Sequence, residues 1–155
     1  MATMDQIKSL RDLTGVSVMQ CKAALEEADG DMEKAKVLLR KKGGDIAAKK
    51  SNRELNSGVV EAYIHTTKKV GALVVLSCET DFVAKNDEFV ALARDIAMQV
   101  AALPPEETGE ESKGQALLTQ QFIKDPHLTV NDLIESATQK FGERIKISHF
   151  SRYSL

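Results

Sequence analysis

Tryptophan is absent from this 155-residue sequence, aromatic residues make up 5%, and there are three prolines and two cysteines. A core drawn from it must rest on Leu, Ile, Val and Ala, and the hydrophobic share of 43% is enough for one. Two cysteines, Cys21 and Cys78, are too few for a disulfide framework or a four-thiolate metal site. Both lie among apolar neighbours, where a free Cys serves as a small buried hydrophobe. No apolar run approaches the roughly 20 residues that span a bilayer. The opening Met1-Ala2-Thr3-Met4-Asp5 has no basic stretch leading into an apolar one, as a signal peptide would. The net charge of −2 supplies no basic field for nucleic acid. These absences predict a reduced, cytoplasmic setting with neither membrane nor direct nucleic-acid partner.

What is present divides in two. Over residues 1–42 the pattern predicts three short helices. Thr3-x-x-Gln6 and Ser17-x-x-Gln20 both match the capping box. Ile7, Leu10 and Leu13 supply the first apolar face, Val18, Cys21, Leu25 and Ala28 the second, and Ala35, Leu38 and Leu39 the third, which Asp31 caps. Thr14-Gly15 and Asp29-Gly30 are the breaks. Helices this short are marginal alone and must pack together. Residues 43–57, with Gly43-Gly44, Lys49, Lys50 and Arg53, read as a basic linker. No aromatic is interleaved for base stacking, which favours a solvated segment over a nucleic-acid patch.

From 58 to 155 the pattern predicts an α+β unit. Val60, Ala62 and Ile64 alternate with Glu61, Tyr63 and His65, as in a half-buried strand. Thr66-Thr67-Lys68-Lys69 reads as a hairpin turn. The nearly all-apolar run Val70–Cys78 then predicts a central strand buried on both faces. A helix follows over 87–103, stopped by Pro104-Pro105. An acidic loop is expected over 106–114, a short helix over 115–124, and another helix to Phe141, capped by Thr129 or Asn131. Arg144–Phe150 alternates as a last strand. The order β-β-α-α-β predicts a small antiparallel three-stranded sheet covered by helices. So thin a core would gain by pairing with a second copy.

Most candidate chemistry fails on spacing. Gly44-Asp45-Ile46-Ala47-Ala48-Lys49-Lys50-Ser51 approximates a P-loop, but Lys49 stands where a glycine must bend around phosphate. His65, His127 and His149 are scattered and lack metal-ligand spacing. No Ser sits in a nucleophile elbow. Glu26, Glu27, Asp29 and Asp31 are explained by helix surface and cap duty. A thiol enzyme using Cys21 or Cys78 needs an accessible thiol, and an adaptor acting through residues 1–42 leaves the loop at 80–83 without a role.

One segment stands apart, Cys78-Glu79-Thr80-Asp81-Phe82-Val83-Ala84-Lys85-Asn86. It leaves the most buried strand and enters a helix, and a rigid scaffold is where a protein holds a functional loop. Phe82 could be an apolar wedge beside the acceptor Asp81. Equally, Phe82 could fill the local core while Thr80 or Asp81 caps a helix. Local physics leaves the two readings open.

Two motifs resemble those of the elongation factor Ts family, the guanine-nucleotide exchange factors of elongation factor Tu. Leu10-Arg11-Asp12-Leu13-Thr14-Gly15-Val16-Ser17-Val18-Met19-Gln20-Cys21-Lys22-Ala23-Ala24-Leu25 is similar to the N-terminal signature, and Leu76-Ser77-Cys78-Glu79-Thr80-Asp81-Phe82-Val83-Ala84-Lys85 to the core signature. Both are long, stand in the family's order, and the similarity runs on through the final strand. The resemblance implies a ubiquitin-associated-like module before the α+β core. It implies that Arg11, Val18 and Met19 grip the nucleotide-binding domain of Tu, with Val18 standing where the family often has methionine. It implies that Asp81 and Phe82, framed by Thr80 and Val83, enter between two helices of Tu near its magnesium and phosphate site, so that GDP leaves and GTP rebinds. No cofactor and no covalent chemistry are expected of this chain. Longer relatives repeat the core unit; this chain carries one copy, which implies the short form that works as a homodimer in a two-plus-two complex. Residues 104–120 look trimmed where relatives carry extra helices.

Overall fold

The computed structural model describes residues 1–104 and 110–155. Contacts divide them into two units. Met1–Asn52 groups with Glu135–Arg144, and Arg53–Ile134 groups with Ile145–Leu155.

In the first unit three helices form: α1 (Met4–Thr14), α2 (Val18–Glu27) and α3 (Met32–Lys49). Thr3 makes the expected capping box, its hydroxyl accepting from Gln6 N at 3.2 Å while Gln6 Oε1 accepts from Thr3 N at 3.0 Å. At Ser17 the hydroxyl half forms, from Gln20 N at 3.4 Å. The Gln20 side chain instead accepts from Gln139 Nε2 at 2.9 Å. Gly15, at φ +67°, closes α1 with a bond to Arg11 O. The core is Ile7, Leu10, Val16, Cys21, Ala24, Leu25, Ala28, Ala35 and Leu39. Leu13 and Val18, expected in the apolar faces, are 66% and 41% exposed. At 3.6 residues per turn Leu13 lies about 120° round from Ile7, too far to share its face, and half-buried Thr14 takes that place.

The expected linker over 43–57 begins as helix, because α3 runs unbroken through Gly43-Gly44 to Lys49. Here the glycines serve close approach rather than a break. A Cβ on buried Gly43 would collide with Glu135 O and stand 3.1 Å from Gln139 Cβ; one on Gly44 would meet Glu135 Oε1 at 2.9 Å. The partner is the later part of α7 (Val130–Phe141), which packs as a fourth helix of this unit.

In the second unit β1 (Ser57–Ile64), β2 (Val70–Cys78) and β5 (Lys146–Ser154) form an antiparallel sheet in the order β1-β2-β5. The central place of β2 is as its apolar run predicts. Its two faces are not equally closed, however. Ala72, Val74, Leu76 and Cys78 are buried, while Leu73 is 46% exposed. Helix α5 (Asp87–Ala102) packs on β1 and β2, burying Phe89, Ala93, Ile96, Ala97 and Val100. The alternation of β1 is inverted relative to expectation. Glu61 pairs with Arg94 of α5 at 3.6 Å, whereas Val60 and Ile64 are 66% and 57% exposed.

After α4 (Asp81–Ala84) and α5 come α6 (Glu110–Thr119) and a hairpin, β3 (Gln121–Phe122) with β4 (Asp125–Thr129). The expected helix over 115–124 thus ends at Thr119. Buried Gln99 captures the chain beyond it, donating to Gln120 Oε1 at 3.0 Å and Gln121 O at 3.1 Å and accepting from Ile123 N at 2.9 Å. Of the expected acidic loop over 106–114, residues 106–109 lie outside the described residues and the remainder belongs to α6. Thr129 caps α7, accepting from Asp132 N at 3.1 Å and donating its own N–H to Asp132 Oδ2 at 2.9 Å. The three-stranded antiparallel sheet and the mixed helix-and-sheet class match expectation.

Candidate partner-binding site

The segment after β2 turns one residue at a time. Cys78 ends the strand fully buried, and its thiol donates to Thr80 O at 3.2 Å. Thr80 is extended (φ −126°, ψ 152°), and its hydroxyl accepts from Val83 N at 3.4 Å, which caps α4. Ala84 N and Lys85 N bond back to Thr80 O and Asp81 O at 3.2 and 3.0 Å. Asn86 N bonds Val83 O at 3.0 Å, and the Asn86 side chain then caps α5 through Glu88 N at 2.9 Å. A single helical turn can point only part of its circumference inward. Val83 and Ala84 take that part, leaving Phe82 86% exposed.

The structure divides the features of the capping-and-core reading. Thr80 does cap a helix, yet Phe82 stays out of the core. Asp81 is exposed and accepts from the Ser57 hydroxyl at the start of β1. Val83 lies beneath the turn at 4% exposure, a support of the tip rather than part of its outer surface. The sequence offered no signal for Ser57, a lone serine at a strand start.

In the first unit, Val18 and Met19 open α2 and are both exposed, Met19 at 76%. Arg11 is exposed in the last turn of α1. Its charge opposes the rise in the Cys21 thiol pKa that burial causes, as does the Thr14 hydroxyl, and burial prevails. A buried thiol held protonated is a poor nucleophile, and Cys78 is buried too. Among the described residues no group of three or more His, Cys, Asp or Glu could hold a metal ion. The P-loop-like stretch is helical from Gly44 to Lys49 and offers no phosphate cradle. Among the described residues no helix is long and apolar enough to cross a membrane.

An exposed aromatic thus stands on a corner held from both sides. Comparison with known proteins supplies the class. A family model described as elongation factor TS matches residues 17–112. An elongation factor Ts of Carboxydothermus hydrogenoformans is 43% identical over all of this chain and 89% of its own length. The Heliobacterium modesticaldum protein is 40% identical, covering 100% and 90%, and that of Leptospira biflexa 40%, covering 97% and 96%. The chain belongs to the elongation factor Ts family and is a translation elongation factor. The alignment with the first of these relatives runs over 194 positions, more than the chain's 155 residues, so that relative carries segments with no counterpart here.

Proposed function

We propose that this chain promotes GDP release from elongation factor Tu by docking Phe82 and Asp81 between two helices of Tu near its magnesium and phosphate site. The observation that carries the reading is Phe82, 86% exposed on a turn whose other apolar residues are buried. Leaving so large an apolar side chain in water costs about 1.5–3 kcal/mol relative to burial, and a partner groove would recover it. Tu holds GDP through phosphate contacts and a bound metal. Moving the elements that carry the metal weakens the strongest local charge interactions. The coupling is reciprocal: whatever factor this chain takes from GDP affinity, GDP takes from the chain's own. Each tenfold effect needs about 1.4 kcal/mol, so Phe82 supplies part and the wider interface the rest. Arg11, Val18 and Met19 of the N-terminal module would grip the nucleotide-binding domain of Tu. GTP then rebinds to the emptied site. The chain acts in the cytoplasm by binding alone, with no covalent step, cofactor or nucleotide of its own.

A second copy of the chain would cover the open sheet face. Val60, Ile64, Leu73 and Tyr153 are 66%, 57%, 46% and 74% exposed there, and the strand register sets them on one face. The working assembly would then be a two-plus-two complex. The test of the whole reading is release of fluorescent GDP from purified Tu: catalytic amounts of the chain should accelerate it, and no acceleration would end the exchange reading.

A further inference from the structure

We propose that Ser57, acting with Cys78, is a positioning residue that presets the Phe82-bearing turn before the partner arrives; this rests on the exchange reading above. A helix as short as the four-residue α4 cannot hold its own shape in water. Its geometry must be imposed from outside. Beside the Thr80 cap, two side-chain ties contribute to this: the Ser57 hydroxyl donates to Asp81 Oδ1, and the Cys78 thiol donates to Thr80 O. Ser57 and Cys78 face each other as one rung of the β1–β2 ladder. Both ties therefore leave the sheet at the same level and grip consecutive residues of the turn.

Gly58 makes the rung possible. It sits at φ +156°, and a Cβ there would collide with Leu76 O and stand 2.9 Å from Ser77 Cα. Without a side chain at 58, β1 lies close against β2 and brings Ser57 level with Cys78. Asp81 is exposed, and unheld its carboxylate could swing into water or back over the amides of its own turn. Ser57 selects one orientation. A preset tip spends less of its binding energy on ordering itself against the partner.

The experiment compares Ser57→Ala, Ser57→Thr, Asp81→Ala and the Ser57→Ala/Asp81→Ala pair in the full chain. Stimulated GDP release from Tu is read alongside amide hydrogen exchange at Ala84 and Lys85, whose N–H groups bond to Thr80 O and Asp81 O. Loss of one such hydrogen bond predicts about a fivefold fall in the second-order rate for Ser57→Ala. Amide exchange at the two positions rises by a similar factor. Ser57→Thr, which keeps the hydroxyl, recovers most of both. On the Asp81→Ala background the serine substitution adds nothing. Unchanged amide protection in Ser57→Ala overturns the proposal, as does a threonine variant as impaired as the alanine one, or an additive double variant. Should the unaltered chain fail to release GDP, the exchange reading falls, and amide exchange still decides whether Ser57 holds the turn.

Discussion

Glu61 and Arg94 face each other across β1 and α5, 3.6 Å apart, so Glu61 marks the side of β1 that looks toward the helix. With a period of two, a strand that turns Glu61 toward the helix must turn Val60 and Ile64 away from it. The outward side carries Val60, Ile64 and, from β2, Leu73. In sedimentation the unaltered chain should run as a dimer. Val60→Asp with Leu73→Asp should weaken association by about a hundredfold or more, since two charges would be buried. A strictly monomeric unaltered chain at micromolar concentration sinks the second-copy reading.

Phe82→Ala separates wedge from core. At 86% exposure the side chain contributes little to the fold, so stability should shift by no more than about 0.5 kcal/mol. Stimulated GDP release should fall about tenfold or more. A variant that loses both together returns Phe82 to the core.

Two mid-helix glycines should respond to alanine with opposite signs. At Gly43 the new Cβ strikes Glu135 O, and such overpacking costs about 1–3 kcal/mol. At Gly114 no atom of the described residues lies within 4 Å, and alanine should add about 0.5–1 kcal/mol through helix propensity. Denaturant midpoints of the two variants test the contrast.

Cys21 makes stability depend on alkaline pH. Burial raises its thiol pKa, with Thr14 and Arg11 only partly opposing. The folded state thus prefers the protonated thiol. Its contribution is complete below the unfolded-state pKa of about 8.5 and is lost as pH rises toward the folded value. Lys140 works the other way: burial lowers its pKa, so its unfavourable charge is relieved over the alkaline range. Melting curves of the unaltered chain and Cys21→Ala from pH 8 to 11 should show a steeper decline in the unaltered chain. Parallel declines contradict the assignment.

Much of this architecture was legible because period and capping are local. The Thr3 box, the Asp31 cap, the central place of β2 and the reach of α5 could each be read within a few residues. What escaped was set at long range. Gly43-Gly44 looked like a break because its partner, Glu135, stands about 90 positions on. The β3 segment fell inside an expected helix because the side chain that captures it is Gln99, on another element. The inward side of β1 was misjudged since Val60 and Ile64 face outward while half-buried Glu61 faces α5, which reverses the usual rule. At the tip, the Thr80–Val83 motif was visible and its burial pattern was not: whether Phe82 or Val83 turns inward depends on what lies beneath the turn. Ser57 gave no sign at all, because its one distinguishing bond is to Asp81.

Helix α7 bears on how this chain can be divided. Residues 130–134 belong with the sheet and 135–144 with the N-terminal helices. A protease nick or a genetic cut placed between residues 50 and 57 would therefore not yield two self-sufficient pieces. The N-terminal fragment would carry Gly43 and Gly44 as a bare seat, and the remainder would keep the helix that fits it. Sequence order and packing define different parts lists, and a truncation intended to isolate either function must follow the second.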